Sequence, residues 1–176
     1  MEISPEDLSR WHSALADLAD VRDWSRLWGP DGDVLVLRDR VAAATGWLPM
    51  PPGPSIDDRQ RSWGFDTPRS TVIDVHPQNA LVRLKQALVA RDVSDEQEFA
   101  EAVAVALPRW SRLVAAAAVV LGQEPFLSEP ALEDTRRLAV WQRPGAEIRL
   151  ACKAPEWYDE ELPGITFALS VHASAR

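Results

Sequence analysis

The clearest hydrophobic pattern in this chain predicts a long helix near 94–121. Ser94 is a suitable N-cap with Gln97 three residues later, and Gly122 is a suitable terminator. Pro108 lacks the N–H that an interior helical residue donates, so we expect either a kink there or two abutting helices. The apolar positions of this predicted helix recur every three or four residues and comprise Phe99, Val103, Leu107, Trp110, Val114, Ala117 and Leu121.

Two shorter helices are predicted in the N-terminal quarter of the chain. Ser4 is a suitable N-cap for the first of them. A second helix is predicted from Asp31 to Gly46, and a short strand over residues 34–37 is the competing interpretation. The apolar stripes that these helices would bury consist of Leu8, Trp11, Leu15 and Leu18 in the first helix and Val34, Leu37, Val41 and Ala44 in the second.

The segment between the second helix and the long helix has a mixed pattern. The prolines and glycine of residues 50–54 predict a loop, and residues 62–66 and 71–76 read as strands. Residues 79–91 fit a strand or a helix. We favour a strand that pairs with 71–76 across a turn containing Pro77.

The C-terminal third of the chain alternates between apolar and polar residues, which predicts antiparallel strands with one buried face. Pro144 and Gly145 form a type II-like turn between the first two strands. The expected fold class is α+β, a mainly antiparallel sheet with helices packed on one face, in a single domain covering residues 1–176. The residues expected to be mostly buried are Phe99, Val103, Trp110, Val140, Ile148, Leu150, Phe167 and Leu169.

Charge and composition restrict the classes of partner. Nineteen basic against 27 acidic residues give a formal charge of −8, which disfavours nucleic acid and anionic membranes and suits a basic protein partner. The longest strongly apolar run, residues 113–121, is too short to cross a bilayer, and residues 1–7 carry no secretory signal. Cys152 is the only cysteine and cannot form an intramolecular disulfide. We therefore expect a cytoplasmic protein.

The residues that could perform chemistry form no recognised motif. His12, His76 and His172 lack the short spacing of a helical metal site, so neither a metal nor another cofactor is expected. Cys152 lies on the apolar face of its predicted strand, where a thiol would be inert. A non-enzymatic role is therefore favoured, and a small enzyme with an unrecognised Asp/His site is an alternative.

The segment between the last two predicted strands, residues 154–164, combines aromatic and acidic side chains. Aromatic residues are enriched in binding hot spots, and carboxylates attract basic partners. A second acidic-aromatic stretch at 124–134 precedes the C-terminal hairpin. The competing interpretation is a solvated loop whose Trp157 folds back on the sheet. The predicted partner-binding residues are Glu156, Trp157, Tyr158, Asp159, Glu160 and Glu161.

The C-terminal 85 or so residues resemble, in pattern, small actinobacterial immunity-type proteins encoded beside secreted polymorphic toxins. The features that carry the resemblance are a long helix ending at 121–125, a strand with Trp141 at its centre, and the alternating segments 146–153 and 165–172. The resemblance implies a binding protein. It transfers no catalytic or contact residue, because these families share no catalytic motif and their contact residues vary.

The leading hypothesis is therefore an immunity protein that binds and neutralises a cognate secreted toxin, a toxin domain with a basic surface. The alternative from a different class is an adaptor or chaperone for a secreted effector, which would expose an apolar helix or sheet face.

Overall fold

The computed structural model describes residues 5–28, 34–51, 64–69, 74–76, 80–87, 96–128, 135–153 and 165–174. The helices in these ranges are α1 (Pro5–Asp20), α2 (Val34–Thr45) and α3 (Glu96–Leu121). The strands are β1 (Leu48–Pro49), β2 (Phe65–Asp66), β3 (Asp74–His76), β4 (Ala80–Ala87), β5 (Phe126–Ser128), β6 (Thr135–Arg143), β7 (Ala146–Lys153) and β8 (Thr166–Ala173).

Six of these strands form one antiparallel sheet in the order β3-β4-β8-β7-β6-β5. Strands β5 to β8 are consecutive neighbours, whereas β4 reaches β8 only after the chain has passed through α3. Strands β1 and β2 form a separate two-stranded antiparallel pair. The predicted α+β fold with a mainly antiparallel sheet is therefore confirmed.

Two of the open alternatives are decided by the helices. Residues 34–45 are helical, so the competing strand over 34–37 is wrong. The long helix runs continuously through Pro108, so the alternative of two abutting helices is also wrong. Gly122 ends this helix at φ 65°, the left-handed conformation expected of a terminator.

Of the ambiguous residues 79–91, those from Ala80 to Ala87 form β4, as favoured. This strand pairs antiparallel with β3, which confirms the predicted pairing for the described residues 74–76. The predicted Ser94 cap and residues 62–63 and 71–73 lie outside the described residues.

The core lies between the helices and the inner face of the sheet, and tryptophans occupy much of it. Trp11, Trp24 and Trp141 are among the largest fully buried side chains. The indole N–H of Trp110 donates to the carbonyl of Leu150 over 3.3 Å, which fixes α3 against β7. Trp141 donates to the carbonyl of Gln123 over 2.9 Å. Each of these two bonds satisfies the polar atom that burying a tryptophan brings into the core.

The expected core is confirmed with three corrections. All of the eight residues named are buried except Val103, which is half-buried because the buried face of α3 is rotated toward Ala106 and Leu113. Leu8 and Ala44 are exposed. The stripe of α1 is buried only from Trp11 onward, since its first turn extends beyond the core cluster.

Candidate protein-binding surface

The structure does not describe the predicted partner-binding residues 156–161, but it defines where this segment leaves the sheet. The connection follows Lys153 at the end of β7 and precedes Ile165. Lys153 is paired with Thr135 of β6 on one side and with Thr166 of β8 on the other. These three strand ends therefore lie side by side at one end of the sheet.

The second acidic-aromatic stretch meets the sheet at this same end. Strand β5 pairs antiparallel with β6, with Ser128 opposite Leu138, so the chain runs from β5 toward the end marked by Thr135. Ser128 and Lys153, the last described residues of β5 and β7, are therefore both directed toward this end of the sheet, on strands that lie two strand spacings apart, about 10 Å.

Strand β5 carries two large exposed apolar side chains. Phe126 is 69% exposed and Leu127 is 60% exposed. Phe126 pairs with Val140 and Leu127 with Ala139, so the two side chains project on opposite sides of the sheet. Among the described strands, none pairs with the outer edge of β5. A further strand could therefore pair with the backbone N–H and C=O groups along this edge, with one apolar side chain of β5 on each side of the sheet.

An exposed apolar edge strand is unusual in a soluble protein, because such edges promote pairing with other chains and are normally blocked by charges or prolines. Here Pro125 and the exposed Glu124 stand at the beginning of the strand, while Phe126 and Leu127 remain accessible. The sequence showed the acidic-aromatic composition of this stretch, but a three-residue strand has too few positions for an alternating pattern. Its strand character was therefore missed.

A network of polar side chains lies on the outer face of the sheet. The carboxylate of Glu147 accepts a hydrogen bond from Gln142 Nε2 at 3.0 Å and others from Arg149 Nε and Nη2 at 2.9 and 2.6 Å. These donors, with Gln142 the strongest, lower the pKa of Glu147. The network joins β6 and β7 across their shared ladder.

His172 on β8 extends this polar face. Its Nε2 atom lies 2.8 Å from the hydroxyl oxygen of Ser170. Burial, followed by the positive charge of Arg149, lowers the pKa of His172 to about 4. A serine beside a neutral histidine could suggest a nucleophile and a base, but the carboxylate of Glu147 is bonded to Gln142 and Arg149 rather than to the imidazole. We therefore assign the cluster to strand cohesion.

This histidine predicts a pH dependence of stability. The unfolded chain takes up a proton near pH 6.5, whereas the folded imidazole does so only near pH 4. Stability must therefore fall as the pH decreases through this window. We expect the free energy of unfolding to fall by about 1–2 kcal/mol. The decrease is limited to this size because part of the ring remains solvated and its charge is screened.

The measurement is the free energy of unfolding of the wild type and of His172→Gln across that window. His12 is exposed on α1, so His12→Gln is the matched control. The free energy of unfolding of His172→Gln should lack the pH dependence that His172 causes, whereas that of His12→Gln should retain it. Parallel pH profiles for wild type and His172→Gln would contradict the assignment.

A cleft of about 630 Å³ lies beside the end of α1. Asp17 on its wall is buried and forms an ion pair with Arg69 at 3.4 Å, and Asp20 forms another with the same guanidinium at 2.6 Å. The backbone N–H of Arg69 also donates to Asp17 over 3.3 Å. These bonds attach the segment after β2 to α1. The sequence did not predict them, because the partners are 49 and 52 residues apart.

The other candidate chemical groups are dispersed. Cys152 is buried on the inner face of β7, as predicted. In the described ranges, no group of three or more His, Cys, Asp and Glu side chains is arranged to hold a metal ion.

Helix α3 is both long and strongly apolar. Residues Gln97–Leu121 have a mean hydropathy of 1.5 over an 18-residue window, so by length and composition this helix could cross a membrane. The core helices of soluble proteins pass the same test. One face of α3 is buried in the core, with Phe99, Trp110 and Leu113 among its contacts.

Comparison with known proteins gives no relative. The chain matches no protein-family model, no curated protein and no solved structure. Its function is therefore inferred from charge, exposed surface and topology.

Proposed function

We propose that this chain is a non-enzymatic, cytoplasmic immunity protein that binds and neutralises a cognate secreted toxin. The observation that carries the proposal is the exposed pair Phe126 and Leu127 on the open edge of the sheet. Strand β5, which carries this pair, runs toward the end of the sheet at which β7 ends. The acidic-aromatic segment 154–164 follows β7 in the sequence.

The edge of β5 suits an extended segment of a partner. A partner strand added there would pair with the free backbone groups of β5, while Phe126 and Leu127 would enter apolar pockets on opposite sides of the sheet. Such main-chain pairing supplies affinity, and the alternating side chains supply specificity.

The charge of the chain favours a toxin domain with a basic surface. The net charge is −8, and acidic residues flank both aromatic stretches at 124–134 and 156–161. Opposite charges accelerate association and suppress incorrect partners. Within this proposal Trp157 and Tyr158 are the aromatic anchors of the segment 154–164, and Asp159, Glu160 and Glu161 supply the charge.

A toxin encoded next to this gene provides the functional test. Co-expression of this chain should rescue cells from that toxin, and the purified proteins should form a complex. An adjacent toxin that is neither bound nor neutralised would contradict the proposal.

Replacing Phe126 with serine tests the contact surface. We expect binding of the toxin domain to weaken by about 2 kcal/mol, roughly 30-fold, because a large exposed aromatic side chain at the centre of an interface acts as a hot spot. Isothermal titration calorimetry measures the affinity. Leu48 is 67% exposed, comparable with Phe126, but lies on the separate two-stranded sheet, so Leu48→Ser is the matched control.

The same titration with Trp157→Ala examines the predicted loop. An affinity that stays unchanged in folded Phe126→Ser protein would remove the β5 edge from the interface. Loss of affinity in Trp157→Ala alone would place the contact on the segment 154–164 instead.

An adaptor or chaperone for a secreted effector is the second candidate function. The exposed valines of α3, Val105 and Val119, favour it, because a chaperone must offer apolar surface to an incompletely folded client. The two functions differ in their target. An immunity protein binds the folded toxin domain and abolishes its activity, whereas a chaperone binds the client before it folds.

A further inference from the structure

Helix α3 has a second organised face, opposite to the one in the core. Its members are all exposed and follow one another in alternating steps of four and three residues, which is the heptad spacing of a coiled-coil seam. Val105 is 49% exposed and Val119 is 83% exposed. This outer seam consists of Glu101, Val105, Pro108, Arg112, Ala115 and Val119.

The charges on the outer seam have a self-complementary arrangement. Glu101 and Arg112 are 11 residues apart, three helical turns or about 16 Å along the axis, and apolar side chains lie between them. Glu101 accepts a hydrogen bond from Gln97 at 3.2 Å. Within the part of the chain that the structure describes, Arg112 forms no ion pair.

We propose that the outer seam binds a second copy of this chain, with the two α3 helices antiparallel. In the register set by charge, Glu101 of each copy lies opposite Arg112 of the other. Val105 then lies opposite Pro108, so apolar contacts fill the space between the two ion pairs. The same patch serves both copies, as a twofold axis requires.

The charges exclude the parallel arrangement. Parallel helices in register would place Glu101 against Glu101 and Arg112 against Arg112, and like charges across a seam repel. An antiparallel pair also opposes the two helix dipoles favourably. A second copy is therefore a better occupant of this seam than an arbitrary apolar partner, which would leave both charges unmatched.

The overlap covers residues 96–117 of each helix, about 33 Å. A contact between two single helices buries less than the roughly 800 Å² per partner of a standard interface. We therefore expect a weak dimer, with a dissociation constant in the micromolar range or above. The outer seam contains none of the residues assigned to toxin binding, and the inference does not depend on that proposal.

Sedimentation velocity of the full chain from about 1 µM to about 1 mM tests the dimer. We expect a concentration-dependent monomer–dimer equilibrium. Glu101→Arg and Arg112→Glu should each raise the dissociation constant at least about tenfold, because each creates two like-charge pairs.

Mixing the two single variants provides the decisive measurement. A heterodimer of Glu101→Arg with Arg112→Glu restores both opposite-charge pairs, so the mixture should associate more tightly than either variant alone. Val105→Asp should abolish the dimer, whereas Val119→Asp, beyond the overlap, should leave it intact. Circular dichroism of every variant confirms folding. A wild type that stays monomeric throughout, or a mixture no tighter than its components, would overturn the proposal.

Discussion

Replacing Gly145 with alanine is expected to lower the free energy of unfolding by about 3 kcal/mol or more. Gly145 has φ 79°, a conformation that L-residues adopt with strain. A Cβ atom there would also come closer than 3.0 Å to the backbone of Ser25. Forcing an extra methyl group into a closely packed position costs about 1–3 kcal/mol, and holding alanine at a positive φ adds about 1 kcal/mol.

The turn that contains Gly145 is also a junction. The carbonyl of Pro144 accepts a hydrogen bond from the backbone N–H of Trp24 at 2.9 Å, and the carbonyl of Gly145 accepts one from Ser174. Any shift of the turn that relieved the clash would therefore weaken the attachment of the segment after α1 to the sheet.

Gly122→Ala separates the two contributions. Gly122 has a similar φ of 65°, but among the described residues nothing apart from its own chain neighbours lies within 4 Å of the position that an added methyl group would occupy, so this variant experiences only the backbone strain. Urea denaturation measures both variants. We expect the loss at Gly145 to exceed the loss at Gly122 by about 2 kcal/mol. Equal losses would show that the approach to Ser25 is easily relieved.

Trp141→Ala is expected to destabilise the protein by about 3–5 kcal/mol, the range for deleting a buried aromatic side chain. Trp141 is fully buried near the end of β6, where it pairs with Ile148 of β7 and bonds to the chain just after α3. Removing the indole also leaves the carbonyl of Gln123 without its donor.

Trp141→Phe is the matched variant, since it keeps most of the apolar volume but removes the N–H. We expect it to lose about 1–2 kcal/mol. Thermal and chemical denaturation of both variants give the difference. A Trp141→Ala protein that lost less than Trp141→Phe would contradict the cavity and hydrogen-bond account.

The strands of the C-terminal sheet could be predicted because alternation specifies them strongly. Ile148, Leu150 and Cys152 are all buried on one face of β7, as their period of two indicated. A slip by one residue would have turned this whole set toward solvent. The Pro144–Gly145 turn then fixed where one strand ended and the next began.

Helix α3 was predicted in extent and broadly in orientation, since four of its seven predicted apolar positions are buried and the other three are half-buried. Its apolar residues include Ala and Val on nearly every side, so periodicity alone could not place Ala106 and Leu113 on the buried face. The packing of Trp110 against β7 made that choice. Contacts between distant segments, such as Asp17 with Arg69, lacked any local signal and became visible only in the structure.

The position of β8 between β4 and β7 has a consequence for the order in which the sheet is assembled during synthesis. Strands β5, β6 and β7 are joined by short connections and can pair as they leave the ribosome. The β3–β4 hairpin is made before them, yet its sheet partner is the last strand, with Ala80 opposite His172. About 80 further residues must be synthesised before β8 is available, and until then the edge of β4 that pairs with β8 is uncovered. The nascent chain is therefore most vulnerable to aggregation in that interval.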